Sequence, residues 1–178
     1  MIAGVDEVGR GCLAGPVIAA SVILKRPIKG LMDSKRLSSK KREDLSQIII
    51  ENSVFAIGAA DSQEIDQINI LQASLLAMQR SLEKLDMQPK KVLVDGNHIF
   101  ETSTEIEAIV GGDNLIPSIS AASIVAKVFR DRLMMAYSKE FPNYGFDKHK
   151  GYPTKLHKEM LKKYGLTRIH RRTFKGVN

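Results

Sequence analysis

The chain has 178 residues, 43% of them hydrophobic, with 27 Lys and Arg against 20 Asp and Glu for a formal charge of +7. This is the size of one domain able to bury a real core, and its single cysteine, Cys12, excludes an internal disulfide and fits a reducing compartment, the cytoplasm. No apolar run reaches the roughly 18 residues of a membrane span, charges at Asp6, Glu7 and Arg10 exclude a secretory signal, and the basic excess suggests a polyanionic partner, though ribosomal and membrane-surface proteins share it.

Residues 2–5 and 16–24 ("PVIAASVIL") read as buried strands joined by a Gly-rich turn. Ser38 or Ser39 can cap a helix that places Leu45, Ile48 and Ile49 on one face. "SVFAIGAA" (53–60) reads as a further strand, and residues 69–85 as a helix, with Leu71, Leu75, Met78, Leu82 and Leu85 at helical spacing. "KVLVDG" (91–96) and "IEAIVGGD" (106–113) are two more strands. Ser118 or Ser120 opens a helix running to about Glu140, and Pro153 can sit in the first turn of another that Gly165 ends. The tail from Thr167 to Asn178 is basic and has little periodicity. There is no repeat, low-complexity tract or clear linker. Strands interspersed with helices predict an α/β fold with a mixed sheet and antiparallel hairpin character near its start.

Four acids share one context. Asp6 and Glu7 ("VDEVG"), Asp95 ("VDGN") and Asp113 ("VGGD") each follow an apolar strand candidate and stand close to glycine. Carboxylates converging from neighbouring strand ends repel one another, and a divalent cation removes the conflict. Oxygen donors with few histidines favour magnesium or manganese over zinc. Alternate strand residues point to opposite faces, so Asp6 and Glu7 both aim inward only if the strand twists or ends there. The competing reading is that these are ordinary turn acids, as in Asp95-Gly96-Asn97; spacing alone leaves both open. His98, His149, His157 and His170 show no pairing at zinc spacing, and the phosphate-binding loop Gly-x4-Gly-Lys-Ser/Thr and the nucleophile motif Gly-x-Ser-x-Gly are absent.

Gly9-Arg10-Gly11 is either a plain tight turn or a place where glycine backbone approaches a sugar-phosphate chain while Arg10 grips a phosphate. Basic clusters occur at 33–43 (with Lys35 and Arg36), 148–158 and 168–172. Each alone is most simply a solvated face; three together favour phosphate contact. Ser120, Ser123, Lys127 and Asp131 recur on one polar stripe, which suits a phosphate or a simple Lys127–Asp131 pair. Tyr152, between Gly151 and Pro153, is available for stacking on a sugar or base, or for packing against the core.

The segments "GVDEVGRG", "DSKRLS", "EIDQINILQASLLAMQRSL", "VDGN", "SISAASIVAKVFRD", "FPNYGFDKHKGYPT" and "HRRTF" occur in order over nearly the whole chain, and together they resemble bacterial ribonuclease HII, the type 2 ribonuclease H. The resemblance implies a ribonuclease H-like fold, a five-stranded mixed sheet flanked by helices, filling 1–178 as one catalytic domain with 141–178 as a helical, basic, substrate-binding part. It implies a metal-dependent endonuclease that cleaves the RNA strand of RNA–DNA hybrids and nicks duplex DNA 5′ of embedded ribonucleotides. Products with 5′-phosphate and 3′-hydroxyl ends, and a role in starting ribonucleotide removal, follow from the same likeness. Asp6, Glu7, Asp95 and Asp113 match the catalytic acids, expected to bind two Mg2+ or Mn2+ ions. Asp6 is expected to bridge them, Asp113 to serve the nucleophile side, and Glu7 and Asp95 the leaving-group side. Gly9, Arg10 and Gly11 match the sensor of the ribose 2′-hydroxyl, and Tyr152 the ring that stacks on the following deoxyribose. Lys35, Arg36, Ser120, Ser123, Lys127, His170 and Arg171 complete the expected substrate contacts. Thr173 stands where serine is commoner and keeps the hydroxyl. The extra N-terminal domain typical of type 3 enzymes and a long clamp-binding extension are expected to be missing, which leaves recruitment to a sliding clamp in doubt. A monomer is expected.

Overall fold

A run of small and apolar residues, Ile2-Ala3-Gly4-Val5, begins a strand that suits the middle of a sheet, where both faces are covered. The computed structural model, which describes residues 1–31 and 37–177, puts it there. The strands are β1 (Ile2–Val8), β2 (Val17–Leu24), β3 (Ser53–Ala60), β4 (Lys91–Asp95) and β5 (Glu105–Ile109). They form one sheet in the order β3-β2-β1-β4-β5. β1–β2 and β2–β3 are antiparallel, and β1–β4 and β4–β5 are parallel. This is the expected five-stranded mixed sheet, with the hairpin at the chain's start.

The helices are α1 (Ser39–Glu51), α2 (Ser62–Glu83), α3 (Pro117–Glu140), α4 (Phe146–His149) and α5 (Lys155–Tyr164). Alternation in β2 divides the core between them. Val17 and Ala19 join Val5, Ala73, Ala77 and Met78 on the α2 side, while Ile18, Ala20 and Val22 meet Leu45, Ile49, Ala122 and Val125 of α1 and α3. Two glycines let these layers close. A Cβ on Gly4 would overlap the Ser118 backbone of α3, and one on Gly58 the Ala77 carbonyl of α2.

Several boundaries differ from expectation. β1 runs to Val8, past both acids, and β5 stops at Ile109, leaving Asp113 in a 3-10 turn over Gly112–Asn114. α2 begins at Ser62 and kinks at Asn69, whose φ is +68° and whose side chain accepts the Gln72 N–H at 3.1 Å. The expected start at 69 is thus the second segment's cap. The first segment is opened by a reciprocal Asp61–Glu64 capping box. α5 begins at Lys155 behind the Thr154 cap, so Pro153 lies just before the helix and not in its first turn. The aperiodic tail is held by its backbone: Gly15 N–H donates to Ile169 O at 2.8 Å and Arg171 N–H to Leu13 O at 2.9 Å. Thr173 donates its hydroxyl to Asp66 of α2 at 2.7 Å. Among the described residues, no helix is long and apolar enough to cross a membrane.

Candidate active site

Parallel strands β1 and β4 end side by side, and their carboxyl ends carry the acids, the position at which open α/β sheets present their ligand sites. Asp6 is only 6% exposed. Its carboxylate accepts the Glu7 N–H at 2.7 Å and a hydrogen bond from Ser123 on α3. Burial, then the charges of Glu7 and Asp95, hold its pKa well above the ordinary carboxylate value. Glu7, on the other face of β1, is also raised by burial, an effect opposed by Arg10, whose guanidinium lies 3.2 Å from its carboxylate. Glu7 lines a small cavity of about 80 Å³ with Arg10, Asp95, Asn97, His98 and the Ser74–Met78 side of α2. Asp95 accepts the Asp113 N–H at 3.2 Å, which draws the 3-10 turn against the end of β4.

The acids therefore meet at one sheet end, yet among the described residues no three His, Cys, Asp or Glu side chains are gathered so as to hold a metal ion. Alternation explains the spread, since Asp6 faces α3 and Glu7 faces α2. The chemistry of the set still fits a hard divalent cation. Every donor is oxygen, and the buried Asp6 carboxylate suffers a repulsion from two neighbours that a cation would reverse.

The loop from Gly9 to Pro16 follows, with two guanidiniums behind it. Arg171 donates to the carbonyls of Gly9 (2.6 Å), Arg10 (2.9 Å) and Gly15 (2.9 and 3.0 Å). Arg130 donates to Ala14 (3.0 Å) and Pro16 (3.0 Å), and to Lys150 (2.7 Å) beyond the loop. Both arginines are 0% exposed. Gly9, at φ +95°, has no room for a side chain because Arg130 fills the space, whereas Gly11 faces open space. Of the two glycines expected to admit a sugar-phosphate chain, only Gly11 is open in that way.

Tyr152, 37% exposed, stands over this assembly with Lys127 Nζ 5.8 Å and the Arg130 guanidinium 6.0 Å from its ring centre. Its carbonyl accepts from His157 Nδ1 at 2.9 Å, and His157 Nε2 meets His170 Nε2 at 3.1 Å. His149 stacks on His157, with ring centres 4.3 Å apart.

The expected substrate contacts thus separate. Arg10, Gly11, Lys127 and Tyr152 reach the surface or its edge, although Lys127 pairs with Asp131 at 2.7 Å. Ser123 spends a hydrogen bond on Asp6. Ser120, His170 and Arg171 need correction, because full burial keeps them from a surface ligand. Ser120 instead donates to Leu31 O at 2.6 Å, and the other two support the loop and its neighbours. Lys35 and Arg36 lie outside the described residues. Arg130 and the spatial triad of His149, His157 and His170 escaped the sequence reading. Arg130 did leave a signal, in line with Ala122, Ala126 and Met134 at four-residue spacing on the buried face of α3. The histidines left none, being brought together from α4, α5 and the tail.

The chain matches the sequence profile of the family described as Ribonuclease HII over residues 3–177. It is 54% identical to a protein named Ribonuclease HII from Coxiella burnetii over 180 residues, covering 99% of this chain and 89% of the relative. The crystal structure of ribonuclease H2 from Pyrococcus horikoshii OT3 superposes with a TM-score of 0.82 at 28% identity, covering 99% of this chain and 94% of that one. A structure titled Bst-RNase HIII in complex with Mn2+ gives 0.77 at 16% identity over 99% of this chain and 67% of that one, a likeness of fold. The five-stranded sheet with its helices is the ribonuclease H fold.

Proposed function

Because the chain belongs to the ribonuclease HII family, whose members are nucleases hydrolysing RNA in RNA–DNA hybrids, we propose that it also nicks duplex DNA on the 5′ side of embedded ribonucleotides, using divalent metal ions. The observation that carries this reading is the buried Asp6 carboxylate, crowded by Glu7 and Asp95 at the joined ends of β1 and β4, directly before the Gly9–Gly11 loop.

Asp6, Glu7, Asp95 and Asp113 would hold two Mg2+ or Mn2+ ions, which supply charge to activate water and to stabilise the leaving 3′-oxygen. The remaining work falls to the chain's own groups. Ser123 and the Glu7 N–H orient Asp6. Asp95 positions the turn bearing Asp113 through its backbone N–H. Arg10 offsets the charge of Glu7 at the rim, where a phosphate must arrive. Gly11 leaves space for close approach of a sugar bearing a 2′-hydroxyl, which both donates and accepts hydrogen bonds. Tyr152 presents a flat ring on which a deoxyribose sits flush. Lys127, and Lys35 and Arg36 of the basic cluster before α1, serve as phosphate contacts. The products carry 5′-phosphate and 3′-hydroxyl ends, and the enzyme acts as a cytoplasmic monomer that begins ribonucleotide removal. Residues 141–178 form its basic substrate-binding part within one catalytic domain.

The test is cleavage of a DNA duplex containing one ribonucleotide, and of a long RNA–DNA hybrid, with and without Mg2+ or Mn2+. The expected result is metal-dependent cutting of both, with the nick 5′ of the single ribonucleotide. Binding of the duplex without any metal-dependent cut would overturn the proposal.

A further inference from the structure

A guanidinium buried without a carboxylate is costly, and it persists only where its donors are used. Arg130 is fully buried on α3, and its guanidinium donates to backbone carbonyls: Ala14 and Pro16 on the loop after β1, and Lys150 on the turn before Tyr152. Among the described residues, no other guanidinium donates to both segments. The rest of their junction includes Leu13 N–H donating to Gly151 O at 2.8 Å, a long Cys12 Sγ–Lys150 O contact of 3.8 Å, a hydrogen bond between the Cys12 and Tyr152 side chains, and the Met134 side chain packed beside Gly15 and Gly151. Gly9 is packed directly on the guanidinium, and the ring of Tyr152 lies 6.0 Å from it. One rigid fork therefore spans the two segments to which the proposed function assigns the reading of adjacent sugars.

We propose that Arg130 is a positioning residue that fixes the Gly9–Gly11 loop against the Tyr152 ring, and so sets how strongly the enzyme prefers a ribose-to-deoxyribose junction over continuous RNA. This rests on the reading of Tyr152 and the loop as sugar contacts. The planar fork matters because its donors diverge toward three carbonyls at fixed angles. A lysine keeps the charge but concentrates its donors on one atom, so it holds one segment and releases the other. The junction substrate needs both segments in register; a long hybrid offers many registers and suffers less.

The experiment measures cleavage of a duplex with one embedded ribonucleotide and of a long RNA–DNA hybrid by wild type, Arg130→Lys, Tyr152→Ala and the double variant, each below its measured melting transition. Losing charged hydrogen bonds at the junction should cost Arg130→Lys on the order of tenfold or more on the single ribonucleotide and less than about threefold on the hybrid. In the Tyr152→Ala background the same change should add little, since the ring it positions is gone. Equal losses on the two substrates, or losses that simply multiply in the double variant, would make Arg130 a general fold support and overturn the proposal. If Arg130→Lys does not fold, Gly151→Ala tests the same junction from the other side. Gly151 sits at φ +88°, and a Cβ there would overlap the Ala14 carbonyl, so the same selective, non-additive signature is expected. If Tyr152→Ala alone loses equally on both substrates, the sugar-contact reading fails and this proposal falls with it. A selective Tyr152→Ala combined with a multiplicative Arg130→Lys overturns only the role of Arg130.

Discussion

Asp6 shows the conflict between stability and activity on a single side chain. Its carboxylate is buried, accepts two hydrogen bonds and is repelled by Glu7 and Asp95. Asp6→Asn keeps an oxygen to accept the Glu7 N–H and removes the buried charge. The metal-free variant is therefore expected to melt no lower than wild type at neutral pH. Its cleavage rate should fall on the order of a thousandfold or more if Asp6 holds metal as proposed, because a charged ligand is then lost. A variant that cuts within about tenfold of wild type would remove Asp6 from the proposed machinery. Lys127 poses a different question, since it already pairs with Asp131 at 2.7 Å while standing beside the Tyr152 ring. If it contacts phosphate, Lys127→Ala should make log affinity fall less steeply with log salt, by roughly one unit. An unchanged slope would leave it an intrahelical ion pair.

At the level of elements, the sheet and its helices are in contact at two points where only hydrogen fits. On β3, Gly58 lies under the Ala77 carbonyl of α2 with no flexible side chain to move aside. Gly58→Ala should therefore destabilise by about 2 kcal/mol or more, through strain between whole elements. A urea midpoint unchanged from wild type would contradict that packing. The joint of α4, α5 and the tail has its own sensitivity. His157 and His170 are buried with pKa values lowered to about 4, by burial first and for His170 next by His157. Their hydrogen bonds also need neutral rings. His170 Nδ1 accepts the Thr167 N–H, so its Nε2–H donates to His157, whose Nδ1–H donates to Tyr152 O. In the unfolded chain these rings bind protons near pH 6.5. Stability is complete above that value and falls as pH drops toward 4, by up to about 1.4 kcal/mol per pH unit for each ring. Urea unfolding between pH 7.5 and 5 checks this, and a flat profile would exclude it.

For the whole molecule, the charge of +7 and the acids at the sheet end divide the work. The basic excess draws in a polyanion that bare carboxylates would repel. The chain brings its distant parts to bear on one loop: Arg130 from α3 and Arg171 from the tail both grip residues 9–16, while Thr173 ties the tail to α2 through Asp66. Proximity of these segments is a property of the closed fold, because each contact spans a hundred residues or more of chain.

Much of this was legible from local patterns. The five strands and the course of α1 and α3 follow from apolar runs and helical spacing, and the start of α1 from its Ser38 cap, which are short-range signals; α3 instead starts at Pro117 with no side-chain cap, ahead of the expected Ser118 or Ser120. The four acids stood out by their shared strand-and-glycine context, and the motifs carried the family. The segment before Asn69 is also written locally, in the Asp61–Glu64 box. What no local pattern contained was direction and burial. Alternation allows Asp6 and Glu7 a common face only if the strand twists or ends at them, and it was the fold that continued β1 to Val8 and sent them to opposite faces. His170 and Arg171 read as surface cations in a basic tail, yet the tail folds back beneath the loop and both are buried. Gly9 read as an opening for a ligand, yet the space belongs to Arg130. Sequence determines which residues can form an element and which chemistry they offer; whether a polar group faces water, a partner or another buried group depends on which distant segment packs over it, and only the tertiary structure decides that.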